Sequence, residues 1–132
     1  KTKRIKKKKI NYRDKRGHIL DIFVNDPKDH CTLVTFNKNS IRGNHFHKKS
    51  IQYSFILEGK LCMFLAKVDL KGNIIGKIKR QIVVKNDLIA HKPLMSHAFK
   101  AITKSSMLAF ANGTRGGKNY EKDTYRLKQK LT

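Results

Sequence analysis

The sequence predicts an all-β domain, a sandwich or barrel of short strands, and three observations carry that prediction. β-Branched and aromatic runs recur from Ile19 onward. Residues that tolerate tight turns separate those runs, and no window sustains the i, i+3, i+4, i+7 apolar spacing of a long helix.

Taken in order, strands are expected at 19–24, 31–36, 45–47, 51–57, 61–68, 75–84, 87–90, 97–102 and 107–111. Asn25-Asp26-Pro27, Glu58-Gly59-Lys60, Lys71-Gly72-Asn73 and Lys85-Asn86-Asp87 punctuate them with turn chemistry. The polar stretch 112–132 is expected to wrap the barrel as loop with a little helix. The opening run from Lys1 to Lys9 is too polar and too self-repulsive to fold alone, so residues 1–16 are read as a disordered basic arm and 17–132 as a single domain. A chain of 132 residues leaves no room for a second domain.

Thirty-one Lys and Arg against nine Asp and Glu give a net charge of +22, which taken alone points to an anionic partner. The basic residues are scattered, however, and no aromatic residues interleave with a basic stripe as base stacking would require. Nucleic acid is therefore not the expected partner; a small phosphate-bearing molecule is compatible with the charge. No segment approaches the roughly 18 apolar residues of a membrane span, and no apolar signal region follows the basic start. A cytoplasmic protein with no membrane partner is expected, and a start at Lys1 rather than Met reads as trimmed or internal. Cys31 and Cys62 are far apart in apolar, strand-like surroundings and are expected to be reduced core residues.

The residues that carry chemistry are histidines. His45 and His47 stand two apart on an expected strand, so both project from one face, as two ligands of one metal or two groups of one pocket must. Gln52 follows after four residues and Gly59 after six more, giving His-x-His-x4-Gln-x6-Gly. Further on, Asn86-Asp87-Leu88-Ile89 runs through Pro93 to His97. In these two segments the chain resembles the cupin superfamily, whose motifs read His-x-His-x3–4-Glu-x6-Gly and Gly-Asp, strand, Pro, His. The resemblance implies a double-stranded β-helix, or jelly-roll barrel, with His45, His47 and His97 in its pocket. Two positions depart from the pattern. Asn86 replaces a glycine mildly, since Asn tolerates left-handed backbone, and Gln52 replaces the glutamate ligand with a neutral amide, a poorer donor to a hard divalent ion.

Ile41-Arg42-Gly43-Asn44-His45-Phe46-His47-Lys48 is also similar to the Arg-Gly-x-His segment of nucleotide-sugar-modifying cupins: sugar 3,4-ketoisomerases, the cupin domain of a capsular-polysaccharide reductase, and deoxysugar 3,5-epimerases. The segment from Asn119 to Arg126 looks like their acidic-aromatic tail. This resemblance implies an isomerase or epimerase acting on a nucleotide-linked keto sugar through an enolate, with the sugar nucleotide, a small anionic molecule, as partner. In that reading His45 is the base or part of a proton relay, and His47 relays protons or holds the sugar. Tyr53 is a candidate donor to the enolate, although strand alternation turns it away from Gln52 and Ser54. Arg42 clamps the diphosphate, and Asn44, Gln52 and His97 complete the substrate site. No cofactor is required for such proton transfer; a divalent metal (Zn, Fe, Mn or Ni) on His45, His47, Gln52 and His97 is the optional alternative. Two other functions stay open: a metal-dependent oxygenase or lyase, and a non-catalytic sugar-binding cupin. The outward apolar face of the strand bearing Tyr53 needs cover, which predicts a homodimer.

Overall fold

The computed structural model describes residues 4–112 and 123–132. Twelve strands form among them: β1 (Ile5–Lys7), β2 (Tyr12–Asp14), β3 (Gly17–Ile19), β4 (His30–Phe36), β5 (Ile41–Phe46), β6 (Gln52–Glu58), β7 (Lys60–Lys67), β8 (Lys79–Val84), β9 (Asp87–His91), β10 (Met95–Ala101), β11 (Ser105–Ala111) and β12 (Tyr125–Arg126). Ten of them make two antiparallel five-stranded sheets, ordered β1-β9-β6-β11-β4 and β12-β5-β10-β7-β8, and β2-β3 stand apart as a hairpin. From β4 to β11 the chain crosses between the two sheets at each step except the β7–β8 hairpin, the topology of a jelly roll.

The inward-facing row of each central strand changes character along its length, and this positions the site. On β6 the row runs Ile56, Ser54, Gln52; on β10 it runs Ala101, Phe99, His97; on β9 it runs Ile89, His91. The apolar ends meet in one core with Phe36, Leu61, Met63 and Val83, all buried. The polar ends therefore gather at the opposite end of the same interior. Asn86 makes the β8–β9 turn at φ 73°, the left-handed conformation that Asn tolerates best after glycine.

Three segments differ from the sequence reading. The basic arm is not disordered over its length: Ile5–Lys7 pairs with Asp87–Ile89 as β1, Ile5 packs against the core, and Lys7 meets the Asp87 carboxylate at 2.8 Å. Residues 20–29 hold no strand, although 19–24 is β-branched. Instead Phe23 packs edge-on against Tyr53 and Phe110, with centroids 5.2 and 4.9 Å apart, covering part of the outward face of β6 from within the chain. The described part of the tail contributes β12 and no helix; residues 113–122 lie outside the described residues. Both cysteines are free, but Cys31 is exposed and Cys62 half-buried, because β4 turns Cys31 and Leu33 outward. Among the described residues no helix is long and apolar enough to cross a membrane.

Candidate functional site

A cavity of about 320 Å³ opens between the two sheets, and His45, Gln52 and His97 line it. The sheet register explains their convergence: His97 pairs with His45 across β10–β5, and Gln52 pairs with His91 across β6–β9. Gly43 lets β5 come this close. It adopts φ 102°, and a Cβ there would lie 2.8 Å from the carbonyl oxygen of His97 and 2.9 Å from Cα of Ala98.

Four imidazoles cluster at the floor. The rings of His45 and His97 stand 4.7 Å apart edge to face, His45 and His47 5.2 Å, and His91 stacks on His97 at 4.1 Å across the two sheets. His47, His91 and His97 are buried, whereas His45 is half-buried at the cavity. Burial first, and then the neighbouring rings of His91, His45 and His47, hold His97 well below the ordinary histidine pKa, so it is neutral near pH 7. Of the four rings His45 is the least buried, and it lines the cavity within reach of a bound molecule.

His47 donates from Nδ1 to the carbonyl oxygen of Asp123, 2.7 Å away, and its Nε2 faces Gln52 Oε1 at 3.1 Å. With Nδ1 carrying the proton of a neutral ring, Nε2 offers a lone pair, which a half-turn of the Gln52 amide, or a cation between the two groups, would satisfy. The donor set suits a metal in this respect. Nitrogen atoms of His45, His47 and His97 lie within 4.8 Å of one another, a spread that small side-chain adjustments close around an ion with bonds of about 2.0–2.1 Å.

The other expected residues divide. Arg42 lines the cavity, with Nε donating to the Thr35 carbonyl at 3.1 Å and the guanidinium over Phe36. Asn44 is absent from the lining and instead anchors the tail: its Oδ1 accepts from the Leu131 N–H at 2.7 Å and its carbonyl accepts from Leu127 at 3.0 Å. Tyr53 lines a separate cavity with Phe23 on the outer face of β6, as strand alternation requires, and does not reach the histidines.

Four further residues join the site; sequence spacing leaves His91 only in reserve, sets His30 aside, and marks Thr124 and Arg126 only as part of the tail segment. His91 belongs to the cluster; the signal was its two-residue alternation with Asp87 and Ile89, both buried. His30 lines the cavity beside Thr32. Thr124 and Arg126 line it from the tail, where Arg126 pairs with His45 across β12–β5.

No family model matches the sequence, and no curated protein matches it. Solved structures do. A sugar 3,4-ketoisomerase, QdtA from Thermoanaerobacterium thermosaccharolyticum in complex with TDP, is 22% identical with a TM-score of 0.74, over 94% of this chain and 87% of that one. A dTDP-4-dehydrorhamnose 3,5-epimerase from Sulfolobus tokodaii is 17% identical with a TM-score of 0.71, over 87% and 71%. The chain has the cupin fold. The capsular polysaccharide assembling protein CapF from Staphylococcus aureus shares it at 18% identity and a TM-score of 0.63, over 91% of this chain but 32% of CapF. A sugar 3,4-ketoisomerase and a 3,5-epimerase, two of the kinds whose Arg-Gly-x-His segment the chain resembles, are thus among its structural neighbours.

Proposed function

We propose that this cupin is an isomerase or epimerase of nucleotide-linked 4-keto sugars, moving a proton at a carbon beside the keto group. The observation that carries the reading is His45, half-buried at the floor of the cavity and packed edge to face against the buried, neutral ring of His97. A base near neutral pKa is what enolisation requires. His45 takes the proton from the sugar carbon. In isomerisation it returns that proton to the former keto carbon while the adjacent hydroxyl proton passes to the former keto oxygen. In epimerisation water in the cavity protonates the opposite face of the enolate, while His45 keeps the first proton and later gives it to solvent. Gln52 can donate an amide N–H toward the developing oxyanion. Arg42 and Arg126, both on the cavity wall, pair with the diphosphate. The fold neighbours support the substrate class: one is a TDP complex, and a variant of the same ketoisomerase is a complex with TDP-4-keto-6-deoxyglucose.

The test is to incubate the protein with TDP-4-keto-6-deoxyglucose in D2O, with chelator, and follow the sugar protons by NMR. Deuterium should enter beside the keto group, and His45→Asn should slow this by about 100- to 10,000-fold. No incorporation into any of a panel of TDP- and UDP-linked 4-keto sugars would overturn the proposal.

The clustered nitrogens of His45, His47 and His97 favour a second reading, a metal-dependent cupin. A divalent ion there, with Gln52 as a fourth ligand, would supply Lewis acidity and would occupy the nitrogen His45 needs as a base. Near-stoichiometric metal in tag-free protein, lost in His45→Ala/His47→Ala, would decide for it. Homodimer assembly belongs to the same proposal. Ile78, Ile82 and Val84, exposed on or beside edge strand β8, support it, and a monomer by light scattering at micromolar concentration would refute it.

A further inference from the structure

Asp123 opens the described part of the tail and is only 5% exposed. Its carboxylate accepts three consecutive backbone N–H groups of the turn between β5 and β6: Lys48 at 3.0 Å, Lys49 at 2.9 Å and Ser50 at 2.7 Å. Successive amides converging on one carboxylate form a charge-assisted nest. The carbonyl of the same residue accepts the Nδ1 proton of His47. One residue therefore holds both the turn that follows His47 and the ring itself.

The geometry points to Asp123 as the positioning residue of His47: it pins the turn with its carboxylate and, with its carbonyl, fixes the imidazole with Nδ1 protonated and Nε2 turned to Gln52 and the pocket. What His47 does with that Nε2, as proton relay or as metal ligand, rests on the proposed function; the tautomer lock does not. A carbonyl oxygen cannot donate, so the Nε2–H tautomer of His47 would set two acceptors 2.7 Å apart. The carboxylate is needed because the carbonyl stays in place only while its residue is held. Asp123→Asn keeps the volume but turns an NH2 group toward amide donors, so at least one of the three N–H bonds is lost.

The experiment uses the full chain with 15N-labelled histidine, in chelator at pH 7, and reads long-range 1H–15N spectra. Wild-type His47 should be the Nδ1–H tautomer. In Asp123→Asn the tautomer ratio should fall about tenfold, and turnover of the keto sugar or affinity for added Zn²⁺ should drop about 10- to 100-fold, with KM changed less than about twofold. Asn44→Ala frees another tail anchor without touching Asp123 and should leave the His47 spectrum unchanged. An Nε2–H tautomer in the wild type overturns the inference, as does an unaltered spectrum in Asp123→Asn or an equal change in Asn44→Ala. If Asp123→Asn does not fold, the wild-type spectrum alone decides. Should no keto sugar be turned over, the spectra still read the lock, so the two failures are distinguishable.

Discussion

Gly43→Ala adds one methyl group to the glycine of β5 that faces β10, between the main chains of the strands that carry His45 and His97. The added Cβ would sit 2.8 Å from the His97 carbonyl oxygen and 2.9 Å from the Ala98 Cα, where ordinary contacts are 3.4 Å or more. Both neighbours are main chain, so no side-chain rotation relieves them; β5 must lift from β10 at the register shift between His97 and Ala98. The φ of 102° adds a strain of about 1–2 kcal/mol for any residue with a Cβ. Overpacking adds about 1–3 kcal/mol, so the sum is about 2–5 kcal/mol against a typical total of about 5–15 kcal/mol. The variant should fold, with a urea midpoint about 1–2 M lower. It should also lose His45-dependent turnover, because β5 and β10 set the 4.7 Å spacing of the two rings. A destabilisation below about 0.5 kcal/mol with full turnover would refute the close approach of β5 and β10 on which the site depends.

Other perturbations separate the pocket from its surroundings. Tyr53→Phe removes a hydroxyl on the outer face of β6 and keeps the packing on Phe23, so keto-sugar turnover should change less than about twofold; a loss beyond tenfold would return Tyr53 to the machinery. Acid should destabilise the metal-free protein in two separate windows. Native His97 stays neutral while the unfolded chain protonates below its ordinary value of 6.5, so stability falls as pH drops from there toward the depressed native value, by up to about 1.4 kcal/mol per pH unit. Asp123 acts lower. Burial raises its pKa, but the N–H groups of Ser50, Lys48 and Lys49 outweigh burial, so its contribution is complete above the ordinary 3.8 and is lost as pH falls through the lowered native value. Urea titrations at pH 7.5, 6.5 and 5.5 should show the first window in the wild type and a flatter profile in His97→Gln; a flat wild-type profile would sink the buried-neutral assignment.

Most of the sheet framework was legible because its signals are local. Alternation and turn chemistry placed the strands corresponding to β4, β6, β7, β9, β10 and β11 within a few residues. The N-terminal misreadings have one cause: pairing and burial are tertiary. β1 carries two lysines in three residues and has no strand propensity of note, yet the edge of β9 accepts its backbone and Ile5 reaches the core, while Arg4 and Lys6 remain on the outer face. Residues 19–24 show the converse. Their aliphatic and aromatic side chains were read as a strand, but Phe23 buries its ring against Tyr53 and Phe110 without a ladder. Apolar periodicity reports what must be covered and leaves open whether a sheet or a loop covers it.

The site was legible in proportion to how much of its chemistry is held in side chains at fixed spacing. His45, His47, Gln52 and His97 follow from spacing and resemblance, and the structure brings them together. His91 needed one more step: whichever face of β9 holds Ile89 must also hold His91, so a core strand ending in histidine contributes that histidine to whatever lies at the end of the core. The same logic runs through β6 and β10, where each inward row passes from apolar to polar in the direction of the pocket. Asp123 lay beyond such reasoning. It acts on His47 through a main-chain carbonyl and receives main-chain amides, groups that every residue has, from 76 positions away. A sequence can mark a base by its type, but the partner that sets its tautomer is marked by position alone. The tail should therefore tolerate substitution at Lys128 or Lys130 far better than any insertion between Asp123 and Arg126, which would shift the carbonyl from His47 and the guanidinium from the cavity wall together.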